Sequence, residues 1–438
     1  MRLGGLNGRL RYGFAAVCTL LLVVGGRLVQ LQGLDGHKYA TAADDQRLRQ
    51  VAIHALRGQI VDRNGTVLAY TSEAQDITAD PKQAKAAAAE TARAKHTSSA
   101  AVLAGYAAKL APLVGVAAGD IVKDLTADGR YAVIAKALSP VDAQHVTDLA
   151  LPGIYTQATT SRQYPGTTTA ANVIGTVHGD GTGAAGIESE YNKVLAGKDG
   201  SLTYTVDNLG NLNPSSQSVS DPAVNGGTIR LTIDQSLQYT AQRYLDQAVE
   251  QSGADDAEMV VLDAHTGQVL TMASSNTYNS ADPDSMNPDE PSNPPVMSAF
   301  EPGSVQKSIT FAAALQEGVI TPRSIISVPD QISMGGVTIG DAWYHPTERF
   351  YATGVLAQSS NVGTLKIAQQ VGPATWMDYE RRFGVGQPTG IELPGESSGY
   401  LPPMKDWSAS TFANLPFGQG ESMTALQLAS IYQTIAND

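Results

Sequence analysis

The sequence predicts an α+β protein anchored in a membrane, with two domains outside it. Three observations predict this. An apolar run near the N-terminus lies between arginines and aspartates. Strand and helix signals follow without the regular alternation of a doubly wound sheet. A stretch over residues 208–225, rich in Asn, Ser, Pro and Gly, divides the chain into two long parts. The 438 residues suffice for two or three domains. A net charge of −13 with only 29 Lys and Arg excludes a nucleic-acid surface.

The apolar run covers residues 12–26, is interrupted by Arg27 and continues through Leu31. Taken over 12–32 it reaches the roughly 20 residues of a bilayer span, because an arginine near one end can snorkel to the headgroups. Arg2, Arg9 and Arg11 precede it, and Asp35, Asp44 and Asp45 follow. The positive-inside rule then puts residues 1–11 in the cytosol and nearly everything else outside the cell membrane. No small-residue cleavage site closes the run, which reads as a retained anchor. The single cysteine, Cys18, lies inside it facing lipid and excludes an intrachain disulfide.

Beyond the anchor, Ile60-Val61 and Val67-Leu68 flank the turn dipeptide Asn64-Gly65, the punctuation of a hairpin. An alanine-rich stretch over 82–111 reads as one or two helices, packed or mobile, stopped by Pro112. Tyr164-Pro165-Gly166 marks a turn, 172–177 a strand and 187–195 a short helix. Between the last two, Gly181-Thr182-Gly183-Ala184-Ala185-Gly186 matches the dinucleotide-binding G-x-G-x-x-G. No strand–helix alternation follows it, so the glycines are read as allowing a tight turn. Residues 228–233 form a strand, and Asp234 caps a helix over 235–251. Strands at 258–263 and 268–273 are joined by Ala264-His265-Thr266-Gly267. A long acidic loop over 276–295 leads to the most informative stretch of the chain.

Pro302-Gly303 breaks that loop, and Ser304 opens a helix that Gly318 closes. Ser304 is the only serine with a lysine, Lys307, three positions later. Residues three apart on a helix share a face, so the amine lies one turn behind the hydroxyl: a nucleophile beside its base. Serine is also an ordinary N-cap, so the turn alone carries little. A lysine at a helix N-terminus, however, opposes the macrodipole and calls for another explanation. Residues 319–339 read as strand and turn. Ser359-Ser360-Asn361 precedes a helix over 362–371, with another over 373–383. Gly395-Glu396-Ser397-Ser398-Gly399 fits a nucleophile elbow, but Pro402-Pro403 forbids the helix that motif needs. Gly418-Gln419-Gly420 precedes a last helix over 423–436, capped by Ser422. The seven histidines are scattered and form no metal-binding spacing, and no phosphate-binding loop is present, so neither metal nor cofactor is expected.

Ser304-x-x-Lys307 with Ser359-x-Asn361 resembles the first two signatures of penicillin-binding proteins and serine β-lactamases. Several stretches narrow the resemblance to class B penicillin-binding proteins. These are residues 57–69, Tyr164-Pro165-Gly166 with Gly186-Ile187-Glu188, Leu231-Thr232-Ile233-Asp234, Glu301 to Ser304, and Gly418-Gln419-Gly420. Met334-Gly335-Gly336 through Asp341-Ala342-Trp343, with 359–364, is most similar to the cell-division (septal) branch. The resemblance implies a β-rich pedestal or dimerisation domain over 51–216 and a transpeptidase domain over 256–438, with helices flanking an antiparallel sheet. It also implies acyl transfer from the D-Ala-D-Ala end of a peptidoglycan stem peptide, with β-lactams acylating the same serine. Ser304 would be the nucleophile and Lys307 its base, neutral because it is desolvated. Ser359 would relay a proton to the leaving group, Asn361 would hold Lys307 and the substrate amide, and the Ser304 N–H would give half of an oxyanion hole.

The family's third signature, K-[TS]-G, belongs beyond Gly418-Gln419-Gly420, and no such triplet occurs through Asp438. His265-Thr266-Gly267 resembles a variant of it but precedes the serine in a hairpin turn. The expectation is an incomplete transpeptidase domain, inactive or poorly folded by itself, from a full-length gene product that is the transpeptidase. The partners implied are stem peptides or their lipid-linked precursor, β-lactams, division-machinery membrane proteins such as a septal glycosyltransferase, and a second copy of the chain. The rival functions are a non-catalytic division scaffold or β-lactam sensor and, less favoured, a β-lactamase.

Overall fold

The computed structural model describes residues 6–31, 48–205 and 218–437. It is α+β, and all but one of its strand pairings among the described residues are antiparallel. The chain divides into two compact units, one made of residues 1–55 and 198–225, the other of 56–197 and 226–438.

In the first unit the helix Leu6–Val29 contains a 20-residue apolar segment, Leu10–Val29, of mean hydropathy 1.8. At ~1.5 Å per residue it is long enough to cross the hydrocarbon layer. Its large side chains face outward, Phe14 and Leu22 among them. Arg2 and the acidic flank at Asp35, Asp44 and Asp45 lie outside the described residues. The unit also holds a three-stranded sheet in which Gly200–Thr205 lies between Leu48–Ile53 and Ser218–Asp221. Of the expected linker over 208–225, residues 208–217 lie outside the described residues, and Ser218–Asp221 is a strand. The polar side chains that read as linker composition bond across the strand pair, Ser220 to Thr203 at 2.9 Å and Asp221 to Ser201 at 3.4 Å.

The second unit begins with the expected hairpin. Ile60–Val61 pairs with the start of the long strand Val67–Ala79 around Asn64-Gly65, and its other edge takes Ile229–Arg230 in parallel. Asp62 ties this corner together by accepting from the N–H groups of Asn64, Thr66 and Gln235. Strands Ala132–Leu138 and Ile154–Gln163 flank Val67–Ala79.

The alanine-rich stretch forms two helices, Pro81–Lys95 and Ser99–Val114, that pack rather than move. Ala84, Ala88 and Ala107 are fully buried with Ile77, Leu110 and Ile121. Pro112 does not stop the second helix. It sits within the last turn, where the missing N–H removes one bond, and the helix ends at Gly115 in the left-handed conformation. The strand expected over 172–177 is instead a helical turn, Ala171–Ile174, and 187–195 splits into Gly186–Glu190 and Asn192–Leu195. Backbone packing decides this. A Cβ on Gly175 would lie 1.9 Å from the Ala185 carbonyl oxygen, and one on Gly186 would lie 2.5 Å from the Val173 carbonyl oxygen. The glycine-rich stretch is therefore a packing device with no strand before it.

A buried ion cluster joins three of the motifs read from sequence. Glu188, fully buried, receives Arg57 Nε at 2.6 Å, Arg162 Nε at 2.7 Å and the Tyr164 hydroxyl at 3.3 Å. Arg57 also reaches Asn192, and Arg162 the carbonyl of Gly58. The helix Gln235–Ser252, capped by Asp234 as expected, lies against the hairpin Glu258–Leu262 and Val269–Ser274. From there the chain runs to the helix Lys307–Gln316. Ile309, Phe311 and Ala313 anchor it among Val355, Leu365, Ile367, Trp376 and Phe412. Trp376 donates its indole N–H to Thr310, which donates to the Pro416 carbonyl.

Removing Glu188 leaves two buried guanidinium groups without a counter-charge. Glu188→Gln is expected to destabilise the protein by about 3–5 kcal/mol in denaturant unfolding. A loss below about 1 kcal/mol would show that the cluster is not buried as described.

Candidate active site

Gly303–Gln306 forms a 3-10 turn that runs directly into the helix Lys307–Gln316. Sequence spacing implies an α-helix from Ser304. The tighter turn arises because Gly303, at φ +57°, donates its N–H to the Gly418 carbonyl at 3.1 Å. Only glycine fits at 418, where a Cβ would lie 2.0 Å from the Gly303 carbonyl oxygen. Glu301 accepts from the Gly420 N–H at 2.9 Å, so Gly418-Gln419-Gly420 buttresses the serine turn from behind. Ser304 is left exposed, whereas Lys307 is 1% exposed.

The Lys307 amine faces three acceptors: the Ser359 carbonyl at 2.5 Å, the Ser359 hydroxyl at 2.9 Å and Asn361 Oδ1 at 2.8 Å. Burial brings its pKa down from 10.5 to about 8, against the opposing pull of the Asp341 carboxylate. The Ser359 hydroxyl in turn bonds the Ser304 hydroxyl at 2.9 Å. The Ser359 hydroxyl thus bonds both members of the expected Ser304–Lys307 pair, at 2.9 Å each. Ser359 sits at φ +56°, a strained conformation for a residue with a Cβ. Ser360 caps the helix Asn361–Val371, which begins one residue earlier than expected.

A neutral amine has two N–H groups and one lone pair. In the neutral form, the Ser359 carbonyl and Asn361 Oδ1 would take the two N–H groups and leave the lone pair for the Ser359 hydroxyl, which accepts from the protonated amine. A proton leaving Ser304 then has a continuous path, Ser304 Oγ to Ser359 Oγ to Lys307 Nζ.

Two further groups have no role assigned from the sequence, although Asp341 lies in a stretch that carries the family resemblance. Asp341 and His345 lie behind Ser360, with Asp341 accepting from the Ser360 hydroxyl at 2.7 Å and from the Val362 N–H at 3.0 Å. Below the serine turn, Gln306 donates to Glu380 at 2.5 Å, and Glu421 lies close enough for its charge to act on Glu380. Burial pushes both carboxyl groups up, Glu421 to about 8. Their contacts join residues distant in the chain, which residue spacing does not reveal.

The motifs set aside on sequence have other places in the fold. His265-Thr266-Gly267 forms the turn between Glu258–Leu262 and Val269–Ser274. The stretch 395–399 is followed by no α-helix before Thr411–Asn414, and Ser397 donates its N–H to the Val296 carbonyl. The last helix is Ala425–Ala436, capped by Thr424 in a capping box with Gln427, not by Ser422. Ser422 instead pairs with Tyr400 across a β-bridge. Among the described residues no cluster of His, Cys, Asp or Glu could hold a metal.

A serine hydroxyl linked through a second hydroxyl to a desolvated lysine, at the start of a helix in an α+β domain, has the parts that serine–lysine acyl transfer uses. Comparison with known proteins agrees. The penicillin-binding protein transpeptidase domain matches residues 257–438, and the penicillin-binding protein dimerisation domain matches 52–231. The penicillin-binding protein PbpB of Mycolicibacterium smegmatis is 40% identical over 98% of this chain and 68% of its own length. The PbpB of Mycobacterium tuberculosis is 42% identical over 98% of this chain and 64% of its own. The peptidoglycan D,D-transpeptidase FtsI of Escherichia coli K12 is 31% identical over 97% and 70%. Among solved structures, penicillin-binding protein 3 of M. tuberculosis in complex with aztreonam has a TM-score of 0.63 at 37% identity, covering 88% of this chain and 65% of that one. This chain belongs to the class B penicillin-binding proteins, and it spans about two thirds of the length of those relatives.

The Glu421 carboxyl has a direct consequence for stability. Its value is raised from 4.5 to about 8 by burial, so folding favours the protonated form. The stability it contributes is complete below pH 4.5 and is lost as pH rises toward 8. Glu421→Gln removes that titration. It should be near neutral at pH 5 and more stable than wild type by about 1–3 kcal/mol at pH 9. A stability difference that does not change with pH would contradict the assignment.

Proposed function

We propose that this chain carries the nucleophile and proton relay of a peptidoglycan D,D-transpeptidase that cross-links stem peptides through an acyl-enzyme on Ser304 during septal wall synthesis. The observation that carries this reading is the hydroxyl relay from Ser304 through Ser359 to a Lys307 amine whose pKa burial lowers to about 8. In the acylation half-reaction Ser304 Oγ attacks the carbonyl between the two D-alanines, and its proton passes through Ser359 to Lys307. The Ser304 N–H, free of helical partners in the first turn, holds the developing oxyanion. The same proton returns along the relay to the departing D-alanine nitrogen as the C–N bond breaks. Attack by the amine of a neighbouring stem then releases Ser304. Asn361 keeps Lys307 in register and presents its side-chain amide to the substrate.

β-Lactams would acylate the same serine, in keeping with the aztreonam and ampicillin complexes of the M. tuberculosis relative. The dimerisation-domain match supports a pedestal over 51–216 that meets a second copy or division-machinery membrane proteins, and the transpeptidase match supports the catalytic domain over 256–438. The apolar helix Leu10–Val29, preceded by Arg9 and Arg11, supports a single pass with a short cytoplasmic N-terminus and the rest outside.

Fluorescent penicillin applied to membranes of cells expressing the gene should give a covalent band that Ser304→Ala abolishes. Lys307→Ala should slow labelling by about 10²–10⁴-fold, the range for losing a positioned base. The wild-type rate should climb as pH rises through about 8, as Lys307 loses its proton. A band that survives Ser304→Ala, or no band from folded protein, would remove this reading in favour of a non-catalytic scaffold. Rapid release of opened penicillin would instead favour a β-lactamase.

A further inference from the structure

The side chain of Asp341 is completely buried, directly after the strand Val337–Gly340. All the partners of its carboxylate belong to the second-signature corner or to one histidine. Oδ1 accepts from the Val362 N–H at 3.0 Å, and Oδ2 accepts from the Ser360 hydroxyl at 2.7 Å and faces His345 Nε2 at 3.2 Å. Ser360 and Val362 bracket Asn361, and Ser360 follows the strained Ser359. Asn361 is tied to the same strand end through the Gly340 carbonyl at 3.2 Å. The two residues that touch Lys307 are therefore held from behind by a single carboxylate.

His345 fixes that carboxylate in turn. Its Nδ1 lies 2.8 Å from the Pro346 carbonyl, and its ring sits between Trp343 and Phe350. Both ring nitrogens face acceptors, and only the imidazolium can donate to both. Burial works against that charge. The Pro346 carbonyl, Asp341 and the more distant Glu348 outweigh burial and raise the histidine's pKa. The charged groups around this pair are Lys307 across the corner, whose protonated form the Asp341 carboxylate favours, Glu348, and Asp330, whose Oδ1 accepts from the His345 backbone N–H at 3.4 Å.

We propose that Asp341, seated by His345, is the positioning residue of the Ser304–Ser359–Lys307 relay. It fixes Ser359 and Asn361 against Lys307 through Ser360 and Val362, and it supplies the buried negative charge that holds the proton on Lys307 after Ser304 has given it up. No atom beyond that proton moves, and it returns to the leaving nitrogen. The role rests on the acyl-transfer reading of the site, yet it concerns a property of Lys307 that can be measured without turnover.

The test compares wild type, Asp341→Asn and Ser360→Ala, each first checked for a cooperative thermal transition. Lys307 is titrated by NMR in lysine-labelled protein, its signal identified by its loss in Lys307→Arg. The pH dependence of penicillin acylation is followed in parallel. Asp341→Asn keeps the shape but removes the charge. Its Lys307 should be half-protonated about one pH unit lower than in wild type, with the acid limb of acylation moved equally and the plateau rate reduced. Ser360→Ala keeps the charge and removes the hydroxyl bridge, so the plateau should fall while the limb stays in place. A merely structural carboxylate would lower rates in both variants without moving the Lys307 titration, and that result overturns the proposal. Acylation of Ser360→Ala at the wild-type rate also overturns it, even where Asp341→Asn does not fold. Failure of wild type to acylate would refute the acyl-transfer reading, while the NMR titration would still decide the role of Asp341.

Discussion

A lysine amine kept out of water at the start of a helix is the constraint on which this structure depends. A helix N-terminus repels a cation, and burial adds a desolvation penalty, so both forces act to strip the proton from Lys307. Opposing them are three oxygen acceptors and the field of Asp341. The balance leaves an amine with a pKa of about 8, near the pH where a base can both accept and return a proton. In the proposed relay, an amine drawn into solvent would leave the Ser359 hydroxyl with no partner to pass a proton to.

Much of the surrounding fold serves to hold that balance. The serine turn cannot relax into a regular α-helix because Gly303 is tied to Gly418, and Gly418 lies too close for any larger residue. Ser359 is held in the left-handed region by neighbours on both sides: its own N–H bonds to the Leu356 carbonyl, and Ser360 is clamped by Asp341. Strain of this kind persists only where the surroundings over-determine it. The Glu380–Glu421 pair beneath Gln306 is a second concentration of unfavourable charge, relieved by protonation.

The N-terminal part of the second unit uses a different principle. Its helices approach closely because their buried faces are alanine, and its motif residues converge on one carboxylate, Glu188. That cluster links the hairpin that follows Arg57, the strand that carries Arg162 and the short helix that carries Glu188. The parallel pairing of Ile60–Val61 with Ile229–Arg230, and the bond from Gln235 to Asp62, tie the same corner to the chain that leads into the transpeptidase region.

Family resemblance singled out Ser359 and Asn361, and the sequence by itself determined the apolar helix, the Asn64-Gly65 hairpin, the Asp234 cap, the strands around His265 and the Ser304-x-x-Lys307 spacing. These follow from local rules: turn chemistry, capping and periodicity act over a few residues and need no partner elsewhere. Tertiary structure alone decided the rest. It turned 172–177 into a helical turn because Gly175 and Gly186 must pack backbone to backbone, carried a helix through Pro112, and moved the last cap from Ser422 to Thr424. It also placed Ser359 between Ser304 and Lys307 and brought Asp341 and His345 behind Ser360. Those contacts join residues tens of positions apart, and burial and hydrogen bonding across such separations leave no periodic trace in the chain.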